Sequence, residues 1–594
     1  MITWYVTKTP ISPAYSIEIK RYLFARQHPV DGGWGLHVEG HSSAFGTAMN
    51  YTVLRILGAS EEDPRMVKAR AKLHELGGAM YGPHWAKFWL SVLGVMEWEA
   101  VNPLPPELWL LPDWVPIAPW RWWIHMRQVY LPMSYLWSKR FIGPSTPLTQ
   151  QLRQELYVQP YELINFASHR NSIAPTDNYH PKTWVLNLIN LVLVFVWIPL
   201  LRTATLVRRA ETWTWRLIQY EDENTDYAGL GPVNAPMNTL CCYVEEGPES
   251  NSFKRHLDRL HDYMWMKNEG MLMNGTNGVQ VWDTSFTIQA VVEADLAEDP
   301  KWKPMLTNAL RYLDNEQIRE EVPDRELCYR QSRKGAWPFS TKIQGYTVSD
   351  CTSEALKAIL QLQKLHGYEV VVSEERLHDA VDVLLTMQNK HSRGFASYEP
   401  QRGSEYMEVL NAAEVFGRIM VEYDYPECTT AVVTVLSLFQ KFSDYRSAEI
   451  KKIKGDAVQY IRNAQHVDGS WYGSWGICFT YAGMFALESL ASVGEYYSNS
   501  ERSKRGCDFL LSKQMADGGW GESYKSCEQK RYINHEKSQV VQTAWACIAL
   551  MEAQYPQKAP IKKALTMILS RQQRNGEWLQ EAIEGVFNCS WYVH

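Results

Sequence analysis

The chain has 594 residues, 60 basic and 66 acidic side chains, and a formal net charge of −6. That length holds two or more domains with sizeable cores, and the balanced charge argues against a nucleic-acid partner and against a disordered like-charge tail. With 25 Trp, 32 Tyr and 17 Phe, the composition points to extensive aromatic packing or to cavities lined by π faces.

The N-terminus, MITWYVTKTPISPAYS, has no basic region followed by an apolar core, so no secretory signal is read there; residues 1–20 read as a linker segment. A repeated element then begins: a helical stretch, Gln, a few polar residues, Gly and an aromatic. It occurs as QHPVDGGWG (Gln27, Gly33, Trp34), QNKHSRGF (Gln388, Gly394, Phe395), QHVDGSW (Gln465, Gly469, Trp471), QMADGGW (Gln514, Gly518, Trp520) and QQRNGEW (Gln572, Gly576, Trp578). KGAWPF (Gly335, Trp337) is a degenerate copy. Segments such as AFGTAMNYTVLRILGA, SDCTSEALKAILQLQK and CTTAVVTVLSLFQKF carry small and apolar residues at helical spacing. The unit is therefore helix, Gly-aromatic turn, helix, with Gln and Trp tying the end of one helix to the start of the next. Most of these Trp residues are structural on this reading.

Between the early and late repeats lies WVLNLINLVLVFVWIPLL, residues 184–201. Asn187, Asn190 and Pro199 interrupt it, which disfavours a full membrane span and leaves a buried core helix or a helix lying in one leaflet. The repeat pattern breaks at PMNTLCCYVEEGPESNSFKRH. The spacing predicts an all-α protein of two α/α toroid (barrel) domains of unequal size, one over 21–265 and one over 266–594. The ten cysteines form no C-x-x-C pair, so reduced thiols in a cytosol-facing protein are expected.

VSDCTSEAL, residues 348–356, places an acid beside a thiol in an apolar setting. Ser349 or Asp350 could simply cap a helix running through Ala355, Leu356, Ile359 and Leu360. Asp350 and Cys351 could also supply two ligands of a zinc site. A glycosidase needs a second carboxylate, and the sequence offers only Glu354, one turn on. No D-D-x-x-D run, phosphate-binding glycine loop or H-E-x-x-H motif is present. A further reading is a buried Brønsted acid: burial keeps the carboxyl protonated, a thiol hydrogen-bonds it without adding charge, and π faces shield the cation that follows.

VSDCTSEALKA, GTNGVQVWDTSF, RQVYLPMSY, VFGRIMVEYDYPECTTA, DGSWYGSWGICFTY and QMADGGWGE together resemble blocks of the oxidosqualene cyclases, specifically the lanosterol-synthase type, from about Trp4 to Asn588. The D-x-D-D acid motif of the related squalene-hopene cyclases is absent. The resemblance implies an enzyme that cyclises oxidosqualene to a tetracyclic triterpene alcohol, lanosterol or a protosteryl-type relative such as protostadienol, with no metal or organic cofactor. It implies that Asp350 donates the proton, hydrogen-bonded by Cys351 and Cys428. It implies that His125, partnered by Tyr398, takes the last proton. Trp123, Trp282, Phe339, Phe416, Trp475 and Phe587, with Trp85, match cation-stabilising wall aromatics. It also implies monotopic membrane contact on the cytosolic face of the endoplasmic reticulum or of lipid droplets.

Three departures stand out. The family's W-C-H-C reads Trp123-Ile124-His125-Met126 here, the chain begins late, and it ends early in CSWYVH. An apparently truncated, catalytically silent homologue that binds membranes or hydrophobic ligands is therefore a second expectation.

Overall fold

The computed structural model describes residues 1–587. The fold is helical, as the spacing predicts, with two short antiparallel strand pairs: Met264–Lys267 with Gly270–Met273, and Trp520–Glu522 with Asn534–Gln539. The chain divides into two units. The first is Met1–Asn277 together with Gly403–Val421, and the second is Gly278–Arg402 with the chain from Glu422 onward. The boundary read at 265/266 lies before this division, and the returning segment 403–421 has no counterpart in the sequence reading. Residues 1–20, read as a linker, contain the short helix Ile2–Val6, in which Ile2, Trp4 and Val6 are buried.

In the second unit, helices Gln280–Glu293, Ser349–Leu360, Pro426–Phe439, Cys478–Ala491 and Val540–Glu552 pack side by side in that order. Each is followed in the chain by a helix of an outer row, such as Glu374–Thr386 and Ser447–Asn463. The inner helices are apolar on most sides: nearly every residue of Pro426–Phe439 is buried. The outer ones bury one stripe, as Ile450, Ile453, Ala457, Val458 and Ile461 do in Ser447–Asn463.

The repeated turns stitch these rows together. Gln465 Nε2 donates to the Gly469 carbonyl in its own turn and to the Arg502 carbonyl at the next outer helix, both at 3.0 Å. Trp471 Nε1 reaches back to the Ile461 carbonyl (2.8 Å). Gln388 and Gln514 bridge outer helices in the same way, and Gln27 does so in the first unit. The degenerate copy is completed by Gln317, whose Nε2 reaches both Gly335 and Arg376 carbonyls. Gly469 has φ +93°, and a Cβ there would lie 2.4 Å from the Arg505 carbonyl oxygen, so only glycine fits this close approach.

In the first unit, residues 184–201 form one continuous stretch, α-helical to Val192 and wider from Leu193 to Leu201, where Pro199 lacks a donor. The core-helix reading is overturned. Only Leu186 and Asn190 are buried, whereas Trp184, Leu188, Leu191, Phe195 and Leu200 are more than half exposed. The helix is inverted relative to a soluble one, with an asparagine inward and large apolar side chains outward. Thr183 anchors its start to the Val409 carbonyl (2.6 Å), and Arg202 anchors its end to Glu107 (2.7 Å).

Candidate active site

Asp350 lies in the first turn of Ser349–Leu360, but it is not the cap: the N-cap is Val348, with no side-chain cap bond. Ser349 Oγ instead donates to the Ala396 carbonyl (2.6 Å). Asp350 is buried. Its Oδ1 accepts the Cys351 backbone N–H at 2.9 Å, and its Oδ2 accepts the Cys428 thiol at 3.4 Å. Cys428 sits in the first turn of Pro426–Phe439, and its sulfur also contacts Ser397 Oγ (3.3 Å). Two helix starts thus meet at one carboxyl.

Burial pushes that carboxyl up to about 6, against the lowering effect of the Cys351 N–H and the Cys428 thiol. The result is a group that holds its proton well above the ordinary carboxylate range, while its conjugate base is met by two donors and the positive end of a helix. That combination suits a Brønsted acid. Tyr398 is buried in the same unit, its ring 6.3 Å from that of Tyr346. Burial and the nearby Cys351 and Asp350 push its phenol well above the usual range.

A second carboxyl, which the sequence reading did not find, belongs to Glu427. Its Oε1 accepts the backbone N–H groups of Ser474 (2.8 Å) and Trp475 (3.0 Å). Burial pushes it up to about 7, with a further contribution from the charge of Asp350. Glu354 faces elsewhere, paired with Lys357 (3.0 Å) and Gln289 (2.8 Å). The signal for Glu427 was present in PECTT, one residue before Cys428, but its amide partners come from a loop 47 residues away.

In the second unit, the candidate wall aromatics are less buried than most of the repeat tryptophans. Trp34, Trp337, Trp471 and Trp520 of the repeats are 3% exposed or less. Trp282, Phe339, Trp475 and Phe587 of the second unit are only partly buried. They pair as Trp282–Phe339 (ring centroids 5.3 Å) and Trp475–Phe587 (6.0 Å). Trp578 of the last repeat differs from the other repeat tryptophans and is exposed, though its Nε1 still reaches the Ile568 carbonyl.

The other candidates belong to the first unit. His125 begins helix Ile124–Lys139, its ring 4.5 Å from that of Trp123. Burial holds the imidazole down to about 3, so it is neutral. Trp123 itself is fully buried, and its N–H donates to the Met420 carbonyl (2.8 Å) in the returning segment. Phe416, half-buried on that segment, has its carbonyl held by Asn411 (2.7 Å). Glu414 pins the same segment to His84 (2.8 Å) and Lys182 (2.9 Å). These two partners outweigh the burial penalty and hold Glu414 well below the usual carboxylate range. Trp85, next to His84, stacks on Phe88 and meets Trp89 edge-on. The C-terminal sequence CSWYVH, read as unlike the family, lies outside the described residues.

The sequence matches the family model described as the squalene-hopene cyclase N-terminal domain over residues 4–269 and that of the C-terminal domain over residues 279–593. It is 70% identical over 591 residues to the lanosterol synthase erg7A of Aspergillus fumigatus, covering 99% of this chain and 79% of that protein. It is 61% identical to the lanosterol synthase erg7B of the same organism, over 99% of this chain and 83% of the relative. It is 60% identical to the lanosterol synthase ERG7 of Gibberella zeae, over 99% of this chain and 77% of the relative.

Proposed function

We propose a function that starts from one premise: the chain belongs to the squalene-hopene cyclase family. It is an oxidosqualene cyclase, an isomerase that converts the epoxide to a tetracyclic triterpene alcohol, lanosterol. Asp350's setting carries this reading, because a buried carboxyl that accepts the Cys351 N–H and the Cys428 thiol is a proton donor matched to an epoxide oxygen. The carboxyl O–H gives its proton to the epoxide oxygen, the C–O bond breaks as a neighbouring double bond attacks, and the oxygen remains as the 3-hydroxyl. Cations formed along the cascade are stabilised by ring faces, the role we assign to Trp85, Trp123, Trp282, Phe339, Phe416, Trp475 and Phe587. Loss of one C–H proton to a base ends the reaction, so atoms balance and no cofactor is consumed. The silent-homologue reading has no observation in its favour.

The test is a paired incubation of the purified chain with oxidosqualene and with squalene. Cyclic product from the epoxide alone is expected. Comparable turnover of squalene would contradict a single carboxyl acid of this strength.

We assign the final base to neutral His125. His125→Ala is expected to shift the product mixture toward incompletely cyclised or differently deprotonated triterpenes while oxidosqualene is still consumed. An unchanged product profile by mass spectrometry would remove His125 from this role. We further assign residues 184–201 to insertion in one leaflet, at the cytosolic face of the endoplasmic reticulum or of lipid droplets. The support is the exposed apolar face of that helix, and the water-insoluble substrate fits it.

A further inference from the structure

We propose that Asp222, Cys242 and His256, all in the first unit, bind a structural zinc ion that ties three helices together. The three residues come from consecutive helices, Ala204–Asn224, Ala235–Glu246 and Asn251–Leu260, and all three are buried. One ligand atom from each lies within 4.8 Å of the other two. Asp222 Oδ2 is 3.1 Å from His256 Nε2 and 3.6 Å from Cys242 Sγ.

Those separations are what a tetrahedral zinc imposes. With Zn–N and Zn–O bonds of ~2.0–2.1 Å and Zn–S of ~2.3 Å, nitrogen and oxygen ligands sit ~3.3 Å apart and sulfur and oxygen ~3.6 Å. The ligand set, one thiolate, one imidazole and one carboxylate, suits zinc better than hard cations such as magnesium or calcium. Three protein ligands leave the fourth position to a small ligand such as water.

Two independent features point to an ion and not to a simple Asp–His pair. First, His256 is fully buried, yet neither ring nitrogen makes a directed hydrogen bond; a buried imidazole left in that state is costly, and a metal bond would satisfy it. Second, the outer shell is built. Asn238 Nδ2 donates to Asp222 Oδ1 (2.8 Å), leaving Oδ2 facing both other ligands. Ligating carboxylates are held in this manner. The Tyr227 ring packs edge-on against His256 (5.1 Å). Asp226 and Tyr227 both adopt left-handed backbone, φ 48° and 64°, and Arg255 and Arg259 hold Asp226 in place. Two such residues in succession are strained and need a surrounding structure that fixes them. Binding displaces the Cys242 thiol proton to solvent and leaves His256 neutral. The ion takes no part in the acid chemistry of Asp350.

The experiment uses the full chain, expressed with zinc and dialysed against metal-free buffer. About one zinc per chain is expected by elemental analysis, and replacement by cobalt(II) is expected to give a thiolate-to-metal charge-transfer band. Cys242→Ser and His256→Ala should lose the zinc, and Cys242→Ser should lose the band. Removing zinc from the wild type with a chelator should lower its Tm, with recovery on adding zinc alone. A wild-type chain holding no more zinc than Cys242→Ser, or showing no charge-transfer band with cobalt, overturns the proposal irrespective of how the variants fold. Stoichiometric iron or copper in place of zinc overturns the choice of metal.

Discussion

Asp350→Asn is expected to lower cyclisation by at least about a thousandfold, because an amide cannot supply the proton that starts the reaction. The substitution keeps the shape of the side chain and an oxygen for the Cys351 N–H, so the fold survives. It should also stabilise the chain at alkaline pH. The carboxyl is held at about 6 in the folded protein against an ordinary value of 3.8. A raised carboxyl favours the folded state below the unfolded value, and that advantage is lost as pH rises from about 4 through 6. Above that window the wild type carries a buried charge, worth up to about 3 kcal/mol for a two-unit shift. Asp350→Asn removes it, so its Tm should exceed the wild type's at pH 8 and the gap should close at pH 4. The same value predicts that wild-type kcat/KM falls about tenfold per pH unit above pH 6 as the acid loses its proton. Substantial product from Asp350→Asn would remove Asp350 as the acid.

Leu188→Glu combined with Phe195→Glu is expected to release the chain from phospholipid vesicles without unfolding it. Both side chains are more than half exposed in water, so the folded protein loses little internal packing when they change. In a leaflet each would bury its apolar surface, worth about 1.5–3 kcal/mol. Losing two gives at least about a hundredfold weaker partitioning, before the cost of placing carboxylates near the acyl chains is added. Vesicle flotation reads the binding, and turnover of detergent-dispersed substrate checks the fold. Unchanged flotation would place membrane contact elsewhere on the protein.

The parts of this architecture legible in the sequence are those encoded locally. Gln, Gly and Trp recur at short spacing because each turn must satisfy its own carbonyls and reach one neighbouring helix, so Gln465 and Trp471 announce the stitch they make. Asp350 and Cys351 are adjacent in the chain, and their apolar surroundings are adjacent too. What the sequence does not display is what converges from afar. Glu427 becomes part of the acid's surroundings through the Ser474 and Trp475 amides. Gln317 is separated from its turn at Gly335 by an insertion, which hides the sixth repeat. The segment 403–421 rejoins the first unit through Glu414, whose partners His84 and Lys182 lie hundreds of residues earlier. Asp222, Cys242 and His256 follow no motif spacing; three helices bring them together. Exposure is equally hidden, since Trp471 and Trp475 share one short loop, yet one is sealed in the core and the other is only partly buried.

The most direct test of the central claim is to express this chain in a host that lacks its own cyclase and accumulates oxidosqualene, then to analyse the non-saponifiable lipids by mass spectrometry. A new tetracyclic alcohol, lanosterol, that disappears with Asp350→Asn is the expected result. Accumulation of unchanged oxidosqualene in cells holding folded, membrane-bound protein would contradict the account.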